Sequence, residues 1–295
     1  MALQKIAIVT DNACDASDAE LAKMGVECVH LHVIEPDGTH FPDDNTTENI
    51  VSFYDYIVDC EELPTTSLTA LLDFAEMYTK LALEGYTHVI SIHMSSALSG
   101  TVQSASLAAQ SAPIPVEVID TRTLTVAEYL FVRRVAQLRD CGLSFEELVN
   151  TAHGLVGKVN IDFMLDKMRN LVKGGRAGKA KGIAATLLKI KPLLTVDDDG
   201  EVDMFGKAKT PKRAAQKLMQ RYQMHEEQLG PLECCFAHTR NLPGVDELRQ
   251  MIIDAGSELL EVGVRMVGPV ITTHVSTGCF GFAYIPQDER VLGMA

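Results

Sequence analysis

The chain has 295 residues, enough for one large or two medium domains, and 46% of them are apolar. Its formal net charge of −14 argues against binding to nucleic acid or to an anionic membrane surface by general electrostatic attraction. The scattered cysteines are typical of free thiols in a reducing compartment, and neither a signal peptide nor a membrane-spanning segment is evident, so we expect a cytoplasmic protein.

The first half of the chain alternates strand-like and helix-like runs. Strands are predicted at KIAIVTD, VECVHLHVI, THVISI and VEVID. Helices are predicted at TTENIVSFYDYIVD, at LTALLDFAEMYTKLALEG and directly after HMSSALSGT. This alternation predicts an α/β fold with a mostly parallel sheet flanked by helices. Ligands bind such sheets at the carboxyl ends of the strands.

The second half has a different pattern. After two helices, AEYLFVRRVAQLRDCG and SFEELVNTAHGLV, it contains a predicted hairpin, KPLLTV to EVDMFG, with Gly200 in the turn. Helices are predicted at KRAAQKLMQRY and GVDELRQMIIDAG. Further strands are predicted at VNIDFML, LECCFAHT, LLEVGVRMV, PVITTHV and CFGFAYI. We therefore expect an α+β domain with a mixed or antiparallel sheet, and we place the domains at 1–158 and 159–295.

Two clusters of hydroxyl side chains precede helices. HMSSALSGT contains Ser95, Ser96, Ser99 and Thr101 after a predicted strand, where free backbone N–H groups and the helix dipole favour an anion or a carboxylate. PTTSLT, residues 64–69, is the second cluster. The alternative for both is helix capping without any ligand, and the sequence alone does not show that they meet.

The segment from Lys173 to Lys191 contains Lys173, Arg176, Lys179, Lys181, Lys189 and Lys191 and no acid. It is either a solvated basic face or a patch for phosphate or an acidic partner, and we favour the patch. His274 lies among hydroxyls without a second histidine at metal-ligand spacing, so we expect no metal there. Asp11 and Asp120 end predicted strands and could orient a ligand or magnesium, although turn capping is the simpler interpretation.

Five segments in order resemble the DegV family of bacterial fatty-acid-binding proteins. They are IVTDNACD, PTTSLT, SSALSGTVQSA, LVKGGRAGKAKG with LLKIKPLL, and VITTHVSTGCFGFAY. The resemblance covers nearly the whole chain. The sequence departs from the family pattern after Thr66, in the first loop at Cys14, at Val102 and after Val275, which leaves the selectivity for the acyl chain open.

The resemblance implies two α/β domains with a long-chain fatty acid buried between them. It implies that Thr66 and Ser99 bind the carboxylate, with His274 nearby, and that Ser67, Ser95 and Ser96 are open candidates. It further implies that Arg176 lies at the surface where a fatty acid kinase docks, so that Arg176→Ala would leave lipid binding nearly unchanged. On this basis we expect a carrier that presents its ligand for acyl-phosphate formation, without cofactor or metal.

Two alternatives stay open. One is a phosphoryl-transfer or hydrolytic enzyme that uses SSALSGT as an anion site, although no GxSxG, Walker A or GxGxxG pattern supports it. The other is a binding protein for a different small anionic lipid. We also expect His274 to contribute a hydrogen bond and to titrate near neutral pH, as an unperturbed imidazole does.

Overall fold

The computed structural model describes residues 4–186 and 190–292, without the side chains of 183–186. Its strands are β1 (Ile6–Asp11), β2 (Val26–Val29), β3 (His32–Ile34), β4 (His40–Phe41), β5 (Thr65–Ser67), β6 (His88–His93), β7 (Val116–Asp120), β8 (Asn160–Met164), β9 (Lys191–Val196), β10 (Val202–Ala208), β11 (Leu232–His238), β12 (Leu260–Met266) and β13 (Phe280–Pro286). Its α-helices are α1 (Asp18–Lys23), α2 (Thr47–Asp59), α3 (Leu71–Leu83), α4 (Thr101–Ala109), α5 (Thr125–Asp140), α6 (Phe145–Leu155), α7 (Arg169–Lys173), α8 (Pro211–Leu229), α9 (Leu242–Asp254) and α10 (Pro269–Val275). Short 3₁₀ helices span Asn12–Cys14, Gly178–Thr186 and Glu289–Val291.

The first sheet is parallel throughout, in the order β2-β1-β6-β7. Every residue of β1 is buried, as expected of a central strand with helices on both faces. The loop from His93 to Thr101 leaves the carboxyl end of β6 and enters α4. The sheet therefore confirms the predicted α/β class and brings the SSALSGT loop to its ligand-binding edge.

The second sheet is mixed, with the order β10-β9-β8-β13-β11-β12. All neighbouring pairs are antiparallel except β11 and β12, which are parallel. The predicted hairpin is confirmed as β9 and β10, and Gly200 occupies its turn with a φ of 80°. This left-handed conformation carries little cost for glycine.

VECVHLHVI was predicted as one strand, and this is wrong. The chain leaves the first sheet after β2, and β3 joins β4 and β5 in a separate small sheet. The Asn12 side chain explains the break, because its Nδ2 donates to the Leu31 carbonyl at 3.0 Å and its Oδ1 accepts from the Leu31 N–H at 2.9 Å. The Leu31 N–H and C=O are therefore bonded to a side chain and cannot continue the pairing of β2 with β1.

PVITTHV was also predicted as a strand, because its β-branched residues favour one, and this is wrong as well. The segment forms α10, with Pro269 in its first turn, where the missing N–H costs nothing. The Thr272 and Thr273 hydroxyls donate back to the carbonyls of Val267 and Pro269 at 3.0 and 2.9 Å. These bonds satisfy both hydroxyls within the buried helix.

Helix α5 joins the two halves of the chain. It is buried along almost its whole length and contacts both β1 of the first sheet and β13 of the second. One hydrophobic core therefore includes residues from both halves. No strand pairing among the described residues crosses position 158, but the division at Lys158 stays a prediction. Within the same described ranges, no helix is both long and apolar enough to cross a membrane.

Candidate functional site

A cavity of about 340 Å³ opens where the SSALSGT loop, β5 and α10 meet. Its volume lies at the lower end of the range usual for small-molecule sites. Its lining is mostly apolar and draws on both halves of the chain, with Met94 and Leu98 on one side and Val270 and Ile271 on the other. Polar side chains also line it: Thr66, Ser67, Ser99, Arg176 and His274.

Thr66 and His274 come from distant parts of the sequence and form a direct contact. Thr66 Oγ1 lies 3.0 Å from His274 Nε2. The strand β5 holds Thr66 by pairing it with Val33 in β3, and α10 holds His274 near its end. Both side chains are only partly exposed, so the pair is fixed on regular elements beside the cavity.

His274 does not titrate near neutral pH, which corrects the expectation from the sequence. Burial, reinforced by the nearby charge of Arg176, lowers the pKa of His274 to about 4. Its Nδ1 has no hydrogen-bond partner among the described residues and faces Gly174, where a Cβ would overlap the ring. The imidazole is therefore neutral at physiological pH, and its hydrogen-bonding nitrogen is Nε2.

Ser99 lines the cavity just before α4. Its Oγ lies 2.8 Å from Thr101 Oγ1 and accepts a long bond of 3.4 Å from the Thr101 N–H. Gly100 is the N-cap residue and provides no side chain, so the first amides of α4 lack intrahelical acceptors. Hydroxyls and free amides thus lie together at this end of the cavity.

The structure separates the remaining serines. Ser67 lines the cavity, whereas Ser95 and Ser96 do not. Ser95 Oγ donates to the Gly200 carbonyl at 2.8 Å and thereby ties the loop to the hairpin of the second sheet. Ser96 is exposed and donates to Asp120, which explains that strand-end carboxylate as a local turn partner.

Arg176 is exposed, as expected, but its side chain also lines the cavity, which the sequence did not predict. Its Nε donates to the Leu98 carbonyl at 3.2 Å, and its Nη1 donates to the Gly174 carbonyl at 2.7 Å. These bonds fix the guanidinium beside the serine loop. A positive charge at the cavity mouth can act on a ligand as well as on a partner.

The rest of the basic segment is partly neutralised. Lys179 pairs with Asp197 and Asp199, and Lys191 pairs with Asp166. Lys173 is exposed, and Lys189 lies outside the described residues. The segment from Lys173 to Lys191 is therefore not one continuous patch of free positive charge. Only its part close to Arg176 remains a candidate for such a patch.

A second cavity of about 40 Å³ continues from the first towards the protein interior. The two cavities share apolar lining residues, among them Leu124 and Phe163. The inner cavity is further lined by Ile161, Cys279 and Phe282. The sequence does not identify these residues as cavity lining, because an apolar residue of a strand has the same pattern whether it faces a cavity or the packed core. Together the cavities form a polar entrance with an apolar interior.

This arrangement is poorly suited to hydrolysis. A hydroxyl beside an imidazole is similar in geometry to a nucleophile and its base, but the base in such sites is oriented by a third group. His274 Nδ1 has no such partner, and its low pKa makes it a weak base at neutral pH. Binding of an anionic head group by neutral donors fits the contacts better.

The fold and cavity define an α/β protein in which the two larger sheets contribute to one core, with a mostly apolar cavity lined by residues of both halves of the chain. The chain belongs to the DegV family, whose description is "Uncharacterised protein, DegV family" and which it matches over residues 5–287. This confirms the family assignment made from the sequence motifs.

Several relatives are similar over nearly their full length. A fatty acid-binding protein of Thermotoga maritima is 31% identical over 280 residues, which cover 94% of this chain and 96% of that protein. A DegV domain-containing protein of Deinococcus radiodurans is 33% identical over 288 residues, with 95% and 98% covered. The structure of a DegV family protein from Thermus thermophilus, described by its fatty acid binding, has a TM-score of 0.89 at 31% identity and covers 96% of this chain and 100% of its own. The names of the characterised relatives describe binding proteins rather than enzymes, in agreement with the expected carrier class.

Proposed function

We propose that this protein binds one long-chain fatty acid, with the carboxylate near Thr66, Ser99 and His274 and the acyl chain in the two cavities. The observation that carries the proposal is the contact between Thr66 and His274 in a mostly apolar cavity that Ser99 also lines. The relatives from Thermotoga maritima and Thermus thermophilus, named for fatty acid binding, support the choice of ligand.

The head group would be held mainly by neutral donors. With Nε2 protonated, His274 donates to Thr66 Oγ1, and the Thr66 hydroxyl proton is left to donate to a carboxylate oxygen. The Ser99 hydroxyl and the first amides of α4 offer further donors, with the helix dipole favouring the negative charge. Such a site avoids the desolvation cost of a buried lysine.

The acyl chain would provide most of the affinity. Each methylene removed from water contributes about 0.8 kcal/mol, so ten of them contribute about 8 kcal/mol. A hydrogen bond to the carboxylate adds roughly 1.5–3 kcal/mol. The tail therefore determines how tightly the ligand binds, while the head group determines its orientation.

We further propose that the protein presents the carboxylate to a partner kinase that forms an acyl phosphate. Support comes from Arg176, which is exposed and lines the cavity of an otherwise acidic protein. Its charge is accessible to a partner, and a phosphoryl group that arrives at the head group would lie beside it. In this scheme the protein is a carrier and the chemistry takes place on the kinase.

Denaturing extraction of the purified protein followed by mass spectrometry tests the proposal. We expect close to one equivalent of long-chain fatty acid per chain, and much less from Thr66→Val and Ser99→Ala proteins purified in parallel. A different anionic lipid at the same stoichiometry would favour the broader lipid-binding alternative. No extracted lipid, no binding of added fatty acid and turnover of a phosphate ester would favour an enzyme.

A further inference from the structure

We propose that Asp18, Cys28 and His30 form a zinc site beside β2, the edge strand of the first sheet. Their ligand atoms, one carboxylate oxygen, the thiol sulfur and an imidazole nitrogen, all lie within 4.8 Å of one another. Thiolate, imidazole and carboxylate are the ligands that zinc takes in proteins. The sequence pattern does not indicate this group, because Cys28 and His30 lie within one predicted strand and Asp18 lies in the segment before it.

The distances suit a single ion. Ligand atoms on one tetrahedral zinc lie roughly 3.2–3.8 Å apart, given bond lengths of roughly 2.0–2.3 Å. His30 Nε2 and Asp18 Oδ1 are 3.2 Å apart, within that range. The thiol sulfur lies within 4.8 Å of both, so metal binding requires it to approach them by up to about an ångström.

A buried carboxylate lies on the other side of the imidazole. Asp43 is 7% exposed, and its Oδ1 lies 3.8 Å from His30 Nδ1, while its Oδ2 accepts a bond of 3.2 Å from the Val33 N–H. A carboxylate facing the second nitrogen of a histidine ligand is the usual outer partner in zinc sites, where it fixes the ring and the tautomer. Asp43 is not one of the three proposed ligands, and it lies on the Nδ1 side of the ring while Nε2 faces Asp18.

The backbone around the ligands is held firmly. Cys28 pairs with Thr10 in the parallel ladder between β1 and β2. Asn12 fixes Leu31, the residue after His30, through both its backbone groups. Asp18 is the first residue of α1, directly after the Ser17 cap. Ligands on rigid segments lose little entropy when a metal binds.

Solvent reaches two of the three ligands, since the side chain of Asp18 is 57% exposed and that of His30 is 27% exposed. Cys28 and His30 line an open cleft of about 600 Å³ that shares no lining residue with the fatty acid cavity. Water from the cleft can complete the coordination of an ion with three protein ligands.

The test uses the full-length protein with Co²⁺ as a spectroscopic probe and Zn²⁺ in competition with a chromogenic chelator at one pH. We expect one Zn²⁺ per chain, a thiolate-to-cobalt charge-transfer band and a higher melting temperature with zinc. Cys28→Ser should abolish the band and weaken zinc binding at least 100-fold. Asp18→Asn, at an exposed position that tolerates substitution, should weaken it about tenfold. Asp43→Asn should keep the band but lower affinity about 10- to 100-fold, as for other outer partners.

Two matched controls separate the site from general metal binding. Cys60→Ser removes another partly buried thiol, and His153→Ala removes a histidine paired with Glu117 at 2.8 Å on the surface. Both variants should bind zinc like the parent. The proposal is overturned if the parent binds no zinc, or if Cys28→Ser and Asp18→Asn, folded as judged by circular dichroism, retain the parent affinity. His30 would then be only the centre of an ion-pair network.

Discussion

Thr66→Val removes one hydroxyl from the site and changes little else. Valine keeps the β-branched shape that suits β5, whose pairing of Thr66 with Val33 uses the backbone. The variant loses the donor to the carboxylate, worth roughly 1.5–3 kcal/mol. At about 1.4 kcal/mol per tenfold change, affinity should fall about 10- to 150-fold. His274 Nε2 also loses the partner that lies 3.0 Å away, so the variant is left with neither ring nitrogen bonded within the protein.

The assay is displacement of a fluorescent fatty acid from delipidated protein, with Thr65→Val as the control. Thr65 is the neighbouring residue of β5, is exposed and does not line the cavity. The control should bind like the parent, while its melting temperature reports any effect of the substitution on the strand. Equal affinities for Thr66→Val and Thr65→Val would refute the assignment of the carboxylate to Thr66.

Three further predictions concern the same site. Ser99→Ala should lower fatty acid affinity about tenfold, whereas Ser96→Ala, in the exposed part of the same loop, should not; identical displacement curves would exclude Ser99 from the site. His274 has its pKa lowered from 6.5 to about 4, so the protein loses stability as pH falls through this range, by about 3 kcal/mol at pH 4. The free energy of unfolding, measured with denaturant, should show this loss in the parent but not in His274→Gln. If it depends on pH in the same way in both proteins, the prediction is wrong. Arg176→Ala should reduce fatty acid affinity severalfold, because the guanidinium lines the cavity, and kinase-coupled acyl-phosphate formation much more, above all at low salt. If Arg176→Ala lowers fatty acid affinity and acyl-phosphate formation by the same factor, Arg176 has no separate role in docking the kinase.

The sequence predicts regular elements well where one interaction dominates. The parallel sheet and the hairpin at Gly200 follow from hydrophobic period and turn chemistry, and both are present. The two errors have different causes. Asn12 ends the strand after Val29 through bonds to Leu31, 19 residues further along, which a local pattern does not contain. In α10 the signal was local, because Pro269 begins the helix, but the β-branched residues favoured a strand.

The site was predictable only in part for a similar reason. Thr66 and His274 are 208 residues apart, and nothing in their local sequence indicates that they meet. The family resemblance placed them at one ligand, and the structure brings them into contact. Burial beside Arg176 could not be inferred from the motif, and it changes both the protonation of His274 and the position of the arginine relative to the cavity.

A crystal structure with a fatty acid carrying bromine at its terminal carbon tests the central claim most directly. Anomalous scattering would locate the tail independently of the head group. We predict the carboxylate within hydrogen-bonding distance of Thr66 Oγ1 and Ser99 Oγ, and the bromine towards the inner cavity lined by Ile161, Cys279 and Phe282. A reversed chain, with bromine beside His274, or a ligand bound outside both cavities would contradict it.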